Sequence, residues 1–174
     1  MDVAPVDWDG DGDLDLILGT TEGRLFLRRN VGTKTAPAYA VANERLPMHK
    51  PGSKRTRTVF VREGDSTPVC ADWDGDGLFD LITGSKKGGV FWFRNIGEPG
   101  KPLFAMKETL LPLPDEKAGL DQMGTRTQVS VADYDGDGVT DLLVGDYVRI
   151  DGKKPEGRVW LVRRDATPAT SDRR

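Results

Sequence analysis

Apolar residues in this chain come in short runs that stop at a glycine. Leu16-Ile17-Leu18-Gly19, Leu81-Ile82-Thr83-Gly84 and Leu142-Leu143-Val144-Gly145 share that shape. After a polar turn, each is followed by a second run rich in Val, Phe and Trp, such as Val90-Phe91-Trp92-Phe93 or Val159-Trp160-Leu161. A short segment such as Thr67-Pro68-Val69-Cys70-Ala71 leads into the first run. Runs this short, bounded by Gly, Asn and Pro, predict strands. No stretch carries the 3.6-residue periodicity of an amphipathic helix. A polar Asn-x-Gly turn then leads to a weaker fourth strand, Tyr39 to Leu46 or Phe104 to Leu110.

The pattern is a repeat. Asp7-Trp8-Asp9-Gly10-Asp11-Gly12 recurs as Asp72-Trp73-Asp74-Gly75-Asp76-Gly77, and again as Asp133-Tyr134-Asp135-Gly136-Asp137-Gly138, at offsets of 65 and 61 residues. Asn30-x-Gly32 and Pro37 repeat as Asn95-x-Gly97 and Pro102. Four antiparallel strands per unit of roughly 60 residues match one blade of a β-propeller. The expected fold is all-β: one partial propeller domain over residues 1–174, with blades at about 2–46, 66–111 and 127–164 and the last blade incomplete. Residues 146–156 form an insertion in the third blade. The linkers 47–64 and 112–124 cross between blades, and Thr56 to Arg62 alternates well enough to be an alternative outer strand for the first.

Charge sharpens the picture. The net charge of −3 conceals thirteen of the 28 acidic residues packed into Asp7–Asp15, Asp72–Asp80 and Asp133–Asp141. The rest of the chain is mildly basic. In each loop, aspartates stand at positions 1, 3, 5 and 9. Two such charges ~4 Å apart repel by about 4 kcal/mol at an effective dielectric of about 20, so a folded loop needs a counter-charge. A hard divalent cation supplies it, and Ca²⁺ accepts six to eight oxygens in flexible geometry. Positions 1, 3 and 5 point inward, and glycines at 4 and 6 allow the tight turn. Position 7 is placed to offer a carbonyl, and position 9 returns a carboxylate from the next strand. An EF-hand would need Glu at position 12 between helices. Leu18, Thr83 and Val144 stand there instead, on strand-like flanks.

The pattern D-x-D-G-D-G-x-x-D followed by a short apolar strand resembles the FG-GAP/VCBS repeat family, the calcium-loop β-propeller repeats also found in integrin α-subunit heads. The resemblance covers all three units, most of the chain. It implies about three Ca²⁺ ions. The first is held by Asp7, Asp9, Asp11 and Asp15 with the Asp13 carbonyl, and the second by Asp72, Asp74, Asp76 and Asp80 with the Leu78 carbonyl. The third is held by Asp133, Asp135, Asp137 and Asp141 with the Val139 carbonyl. It also implies an extracellular or cell-surface setting and a module that binds or scaffolds a protein or glycan. Two alternatives stay open: a lectin-like propeller, and an accessory propeller of an extracellular hydrolase or polysaccharide lyase. The departure from the family is number, since three blades do not close a ring. Further blades upstream or a second copy of the chain are expected, because open sheet edges invite aggregation.

Other chemistry is sparse. His49 is the lone histidine and Cys70 the lone cysteine, so no intrachain disulfide forms and a nucleophile-base pair has little to draw on. No catalytic role is expected. No phosphate-cradling loop precedes a helix, and Gly84-Ser85-Lys86-Lys87-Gly88-Gly89 reads as a hairpin turn. Neither a nucleic-acid partner nor a membrane span is indicated. Trp8, Trp73 and Tyr134, at loop position 2, are expected to pack between blades. The face opposite the acidic loops gathers Arg24, Lys86, Lys87, Arg149, Lys153 and Lys154, with Lys50, Lys54, Arg55, Arg57 and Arg126, among Glu22, Asp65, Asp115, Asp121, Asp146, Asp151 and Glu156. It is either an ordinary mixed-charge surface or a weakly basic recognition face.

Overall fold

The computed structural model describes residues 1–115, 123–148 and 154–165. Among these there is no helix, only strands and turns. No helix is long and apolar enough to cross a membrane. Strands β1 (Asp2–Val6), β2 (Asp15–Gly19), β3 (Leu25–Arg28) and β4 (Glu44–Arg45) form an antiparallel sheet in chain order. A two-stranded piece follows, β5 (Pro47–Met48) with β6 (Arg57–Thr58). The second sheet repeats the first meander with β7 (Thr67–Ala71), β8 (Asp80–Gly84), β9 (Val90–Phe93) and β10 (Glu108–Leu111). The third has β11 (Thr125–Ala132), β12 (Asp141–Val148) and β13 (Glu156–Val162). These are propeller-type blades, the third with three strands among the described residues.

The fourth strands begin later than the hydrophobic pattern indicates. Asn30 and Asn95 are the reason. The Asn30 carboxamide oxygen accepts the N–H groups of Gly32 and Ala38, and that of Asn95 accepts those of Gly97 and Leu103. Each coils the segment that would otherwise extend. The Thr56 to Arg62 segment shares the edge of β3 with β4. Glu44 and Arg45 pair with Leu27 and Phe26, while Phe60 bridges Arg24. The expected insertion in the third blade is largely a longer hairpin, with β12 paired to β13 from Leu142↔Val162 to Val148↔Glu156. Arg149, Asp151 and Lys153 lie outside the described residues, as does Asp121.

Two apolar clusters cement the sheets face to face. Leu25, Leu27, Ile17 and Val6 of the first sheet meet Leu81, Phe91 and Phe93 of the second. Leu46 at the end of the first blade and Val59 and Val61 from the linker fill the remaining space, with Cys70 packed against the cluster. Each such fully buried side chain stabilises the fold by about 1.5–3 kcal/mol. Val90 and Ile82 continue into a second cluster with Leu142, Val144 and Trp160 of the third sheet.

A polar latch accompanies each interface. Ser66, just before β7, donates its N–H to Thr20 O and accepts Thr20 N–H on its hydroxyl at 3.1 Å. Thr127, within β11, does the same to Ser85, at 3.1 and 2.9 Å. The residues before them, Asp65 and Arg126, have φ of 42° and 53°, a left-handed conformation costly for non-glycine residues. They donate N–H to Thr21 O and Lys86 O. Close approach explains the glycine that ends each second strand. A Cβ on Gly19 would lie 2.0 Å from Ser66 O, and one on Gly84 would lie 2.1 Å from Thr127 O. Thr127→Val is expected to cost about 2 kcal/mol in urea unfolding, because it strands the buried Ser85 N–H and Gly89 carbonyl that the hydroxyl joins.

Candidate metal centre

Each acidic loop joins the first and second strand of its sheet, and local hydrogen bonding shapes it. Both glycines in every loop are left-handed, with φ of 77° and 89°, 77° and 87°, and 79° and 85°. Side chains would be strained there. Position 1 accepts backbone N–H groups across the turn. Asp7 takes Gly10 and Gly12 at 2.9 and 3.0 Å, Asp72 takes Gly77 at 3.0 Å, and Asp133 takes Gly136 and Gly138 at 2.7 and 3.0 Å. Position 5 accepts the N–H of position 7: Asp11 from Asp13, Asp76 from Leu78, Asp137 from Val139. The turn therefore aims several carboxylates at one spot.

Three carboxylate groups converge in this way. One oxygen each from Asp7, Asp9 and Asp11 lie within 4.8 Å of one another, and so do those of Asp72, Asp74 and Asp76, and of Asp133, Asp135 and Asp141. Position 9 behaves differently in the first two loops. Asp15 and Asp80 are buried at the head of β2 and β8, where one oxygen accepts the N–H of Asn30 at 2.7 Å and of Asn95 at 2.6 Å. Asp141 accepts Arg164 N–H at 2.7 Å. Position 9 thus ties the exit of the third strand to the loop, a structural duty in every unit.

An arginine that spacing alone does not mark completes each loop. Arg29, Arg94 and Arg163 each follow the third strand of their sheet by one residue. Arg29 pairs with Asp9 at 2.6 Å and Glu44 at 3.0 Å. Arg94 pairs with Asp74 and lies 3.7 Å from Asp76, and Arg163 pairs with Asp135. The repeated Arg29-Asn30 and Arg94-Asn95 dipeptides were the available signal.

One or two positive charges (Arg29 with Lys34 near the first loop, Arg94 at the second, Arg163 with Arg164 at the third) against four or five carboxylates leave each loop negative. Burial raises the Asp13 carboxyl above its ordinary value, with Asp11, Asp7 and Asp9 adding repulsion. Burial likewise raises Asp15 and Asp80, against the hydrogen bonds from Asn30 and Asn95. Asp141 is lowered, chiefly by the Arg164 N–H.

The residues fit a hard cation. Asp13 Oδ1 and Asp15 Oδ2 are buried and have no hydrogen-bond partner. Unpaired buried carboxylate oxygens are costly. In the second unit the Trp92 indole satisfies the equivalent Asp80 oxygen at 2.9 Å, whereas Leu27 stands in that strand position in the first. All-oxygen donor sets of this kind suit Ca²⁺ or Mg²⁺ rather than Zn²⁺. The aromatic residues at position 2 diverge. Trp8 is buried 6.1 Å from Phe104, and Trp73 is buried under the Arg164 guanidinium at 3.8 Å. Tyr134 is 63% exposed.

Residues 72–144, which run from the second acidic loop through the third and into the strand after it, match the family model described as FG-GAP-like repeat. No solved structure matches the chain.

Proposed function

With residues 72–144 belonging to the FG-GAP-like repeat family, we propose that all three acidic loops hold structural Ca²⁺ and that the protein is a non-catalytic, extracellular β-propeller module that binds a protein or a glycan. The observation that carries the calcium reading is the triplicate convergence of carboxylate oxygens, together with the two buried oxygens of Asp13 and Asp15 that have no hydrogen-bond partner among the described residues. Asp7, Asp9, Asp11 and Asp15, with their counterparts Asp72, Asp74, Asp76 and Asp80 and Asp133, Asp135, Asp137 and Asp141, are the residues to hold the ions, joined by the carbonyls of Asp13, Leu78 and Val139. The bound ion supplies charge neutralisation and locks the first and second strands of each blade. Three ions would bring the formal net charge from −3 to +3. A structural role follows from position 9, whose carboxylates are part of the fold's own hydrogen bonding. The non-catalytic reading draws on Cys70, whose thiol burial pushes up and away from reactivity.

A second reading is favoured by the arginines: Arg29, Arg94 and Arg163 alone could hold the loops together. Calorimetric titration of chelator-stripped protein with calcium chloride separates the two. About three ions per chain are expected, in the affinity range of extracellular modules, about 10⁻⁴–10⁻³ M. Absence of binding heat up to 10 mM calcium, about tenfold above that range, would leave the loops to the chain's own cations, these arginines with Lys34 and Arg164.

A further inference from the structure

The two internal interfaces use the same positions, and those positions recur, uncovered, on the third sheet. In β3, Leu25 and Leu27 are buried toward the second sheet. Their equivalents in β9, Val90 and Trp92, turn toward the third. In β13 the same positions are Val159 and Leu161, 74% and 39% exposed. Tyr134 is exposed where Trp8 and Trp73 are buried. Gly145 gives a second, independent sign. Gly19 and Gly84 must be glycine because the backbone of the next sheet presses on them, yet among the described residues nothing lies within 4 Å of a Cβ built on Gly145. The third sheet thus leaves open the close-approach position that the next sheet's backbone fills at Gly19 and Gly84, while Asp146, which stands where Thr20 and Ser85 carry the latch, is engaged within its own unit.

The chain itself carries a face that matches this open position. Val3 of the first sheet is 52% exposed. Its equivalent in the second sheet, Pro68, lies against Gly19 of the sheet before it, and its equivalent in the third, Val129, packs in the second cluster. Met1 stands where Ser66 and Thr127 stand but carries no hydroxyl, so the contact rests on apolar packing and close backbone approach rather than on a hydroxyl latch. We propose that the Tyr134-Gly145-Val159-Leu161 face of one copy receives the Val3 face of a second copy, so that two chains join head to tail. The faces differ, so the contact is heterologous and is made twice. Two chains of three sheets close into a ring of six, within the usual range of about four to eight blades.

Light scattering coupled to gel filtration, on the full chain with calcium present, tests this. The expected mass is twice the 19.1 kDa of one chain. Val159→Glu and Val3→Glu should each give a monomer with an unchanged circular dichroism spectrum. Mixing the two should restore a dimer, because one wild-type contact re-forms. Gly145→Ala should leave the monomer folded and weaken association at least tenfold, by filling the open position with a methyl group. A wild type that stays monomeric at about 100 μM, and so has a Kd weaker than about 10⁻⁴ M, would overturn the proposal; its face would then await other blades or another partner. A dimer broken by Val159→Glu but untouched by Val3→Glu would equally overturn it, in favour of a symmetric contact between third sheets.

Discussion

Chelating calcium is expected to lower the melting temperature by on the order of 20 °C. An ion that binds the folded chain and not the unfolded one adds about 2.7 kcal/mol per site at 100 times its dissociation constant, which is about 10 mM calcium for sites of about 10⁻⁴ M. Three independent sites together add about 8 kcal/mol, and for a chain of this size each kcal/mol moves the midpoint by about 2–4 °C. The physical origin lies in the loops. Five carboxylates between Asp7 and Asp15 face Arg29, and four between Asp72 and Asp80 face Arg94. Without a cation, that repulsion pulls against the β1–β2 and β7–β8 pairings. Magnesium should substitute poorly, since it demands near-ideal octahedral geometry and surrenders water reluctantly. Differential scanning calorimetry with calcium, magnesium or EGTA is the measurement. A midpoint that moves by less than about 2 °C, under 1 kcal/mol for a chain of this size, on chelation would show that the ion has no structural role.

Asp146→Ala is expected to destabilise the protein by about 3 kcal/mol at neutral pH. The Asp146 side chain is fully buried, and it accepts the Arg158 guanidinium at 3.0 Å, the Trp160 indole at 2.8 Å and the Gly124 N–H. Removing it leaves the Trp160 indole and the Gly124 N–H without their acceptor and takes away the carboxylate that faces the half-buried Arg158 guanidinium. Burial by itself would raise this carboxyl, but the hydrogen bonds from Arg158, Gly124 and Trp160 outweigh it and hold the pKa below the ordinary 3.8. The sign follows from linkage. A carboxyl depressed in the folded state stabilises it above the unfolded value, and that contribution is lost as pH falls through the folded value. The gap between wild type and variant should therefore be full above about pH 5 and shrink below pH 4. Urea unfolding at several pH values checks both the size and the slope. A gap that widens on acidification would mean that Arg158 does not hold the carboxylate ionised.

Asp146 also shows what spacing could not convey. In the repeat alignment it stands where Thr20 and Ser85 stand, and those two serve the latch to the next sheet. The third unit instead turns that position inward on its own hairpin. The same holds for Asp15 and Asp80. Their recurrence marks them as part of the acidic loop, but burial beneath the Asn30 and Asn95 N–H groups is a matter of how the third strand returns. Arg29, Arg94 and Arg163 were visible only as basic residues after a strand. Their meeting with Asp9, Asp74 and Asp135 depends on the sheet bringing strand ends back over the loop.

What the chain determines locally is legible in its letters. Runs of three to five apolar residues ending in glycine can only be short strands, and the D-x-D-G-D-G turn fixes its own shape through left-handed glycines and carboxylates that accept nearby N–H groups. Both involve residues a few positions apart, so a one-dimensional pattern contains them. Which side of each strand meets which neighbour was settled only by packing. Leu25 and Val90 are buried and Val159 is exposed, though they hold the same place in the repeat. Gly19 and Gly145 are the same letter in the same motif, yet only one is pressed by backbone from the next sheet. Burial is a property of what arrives from far along the chain, and no repeat can state whether its next neighbour has come.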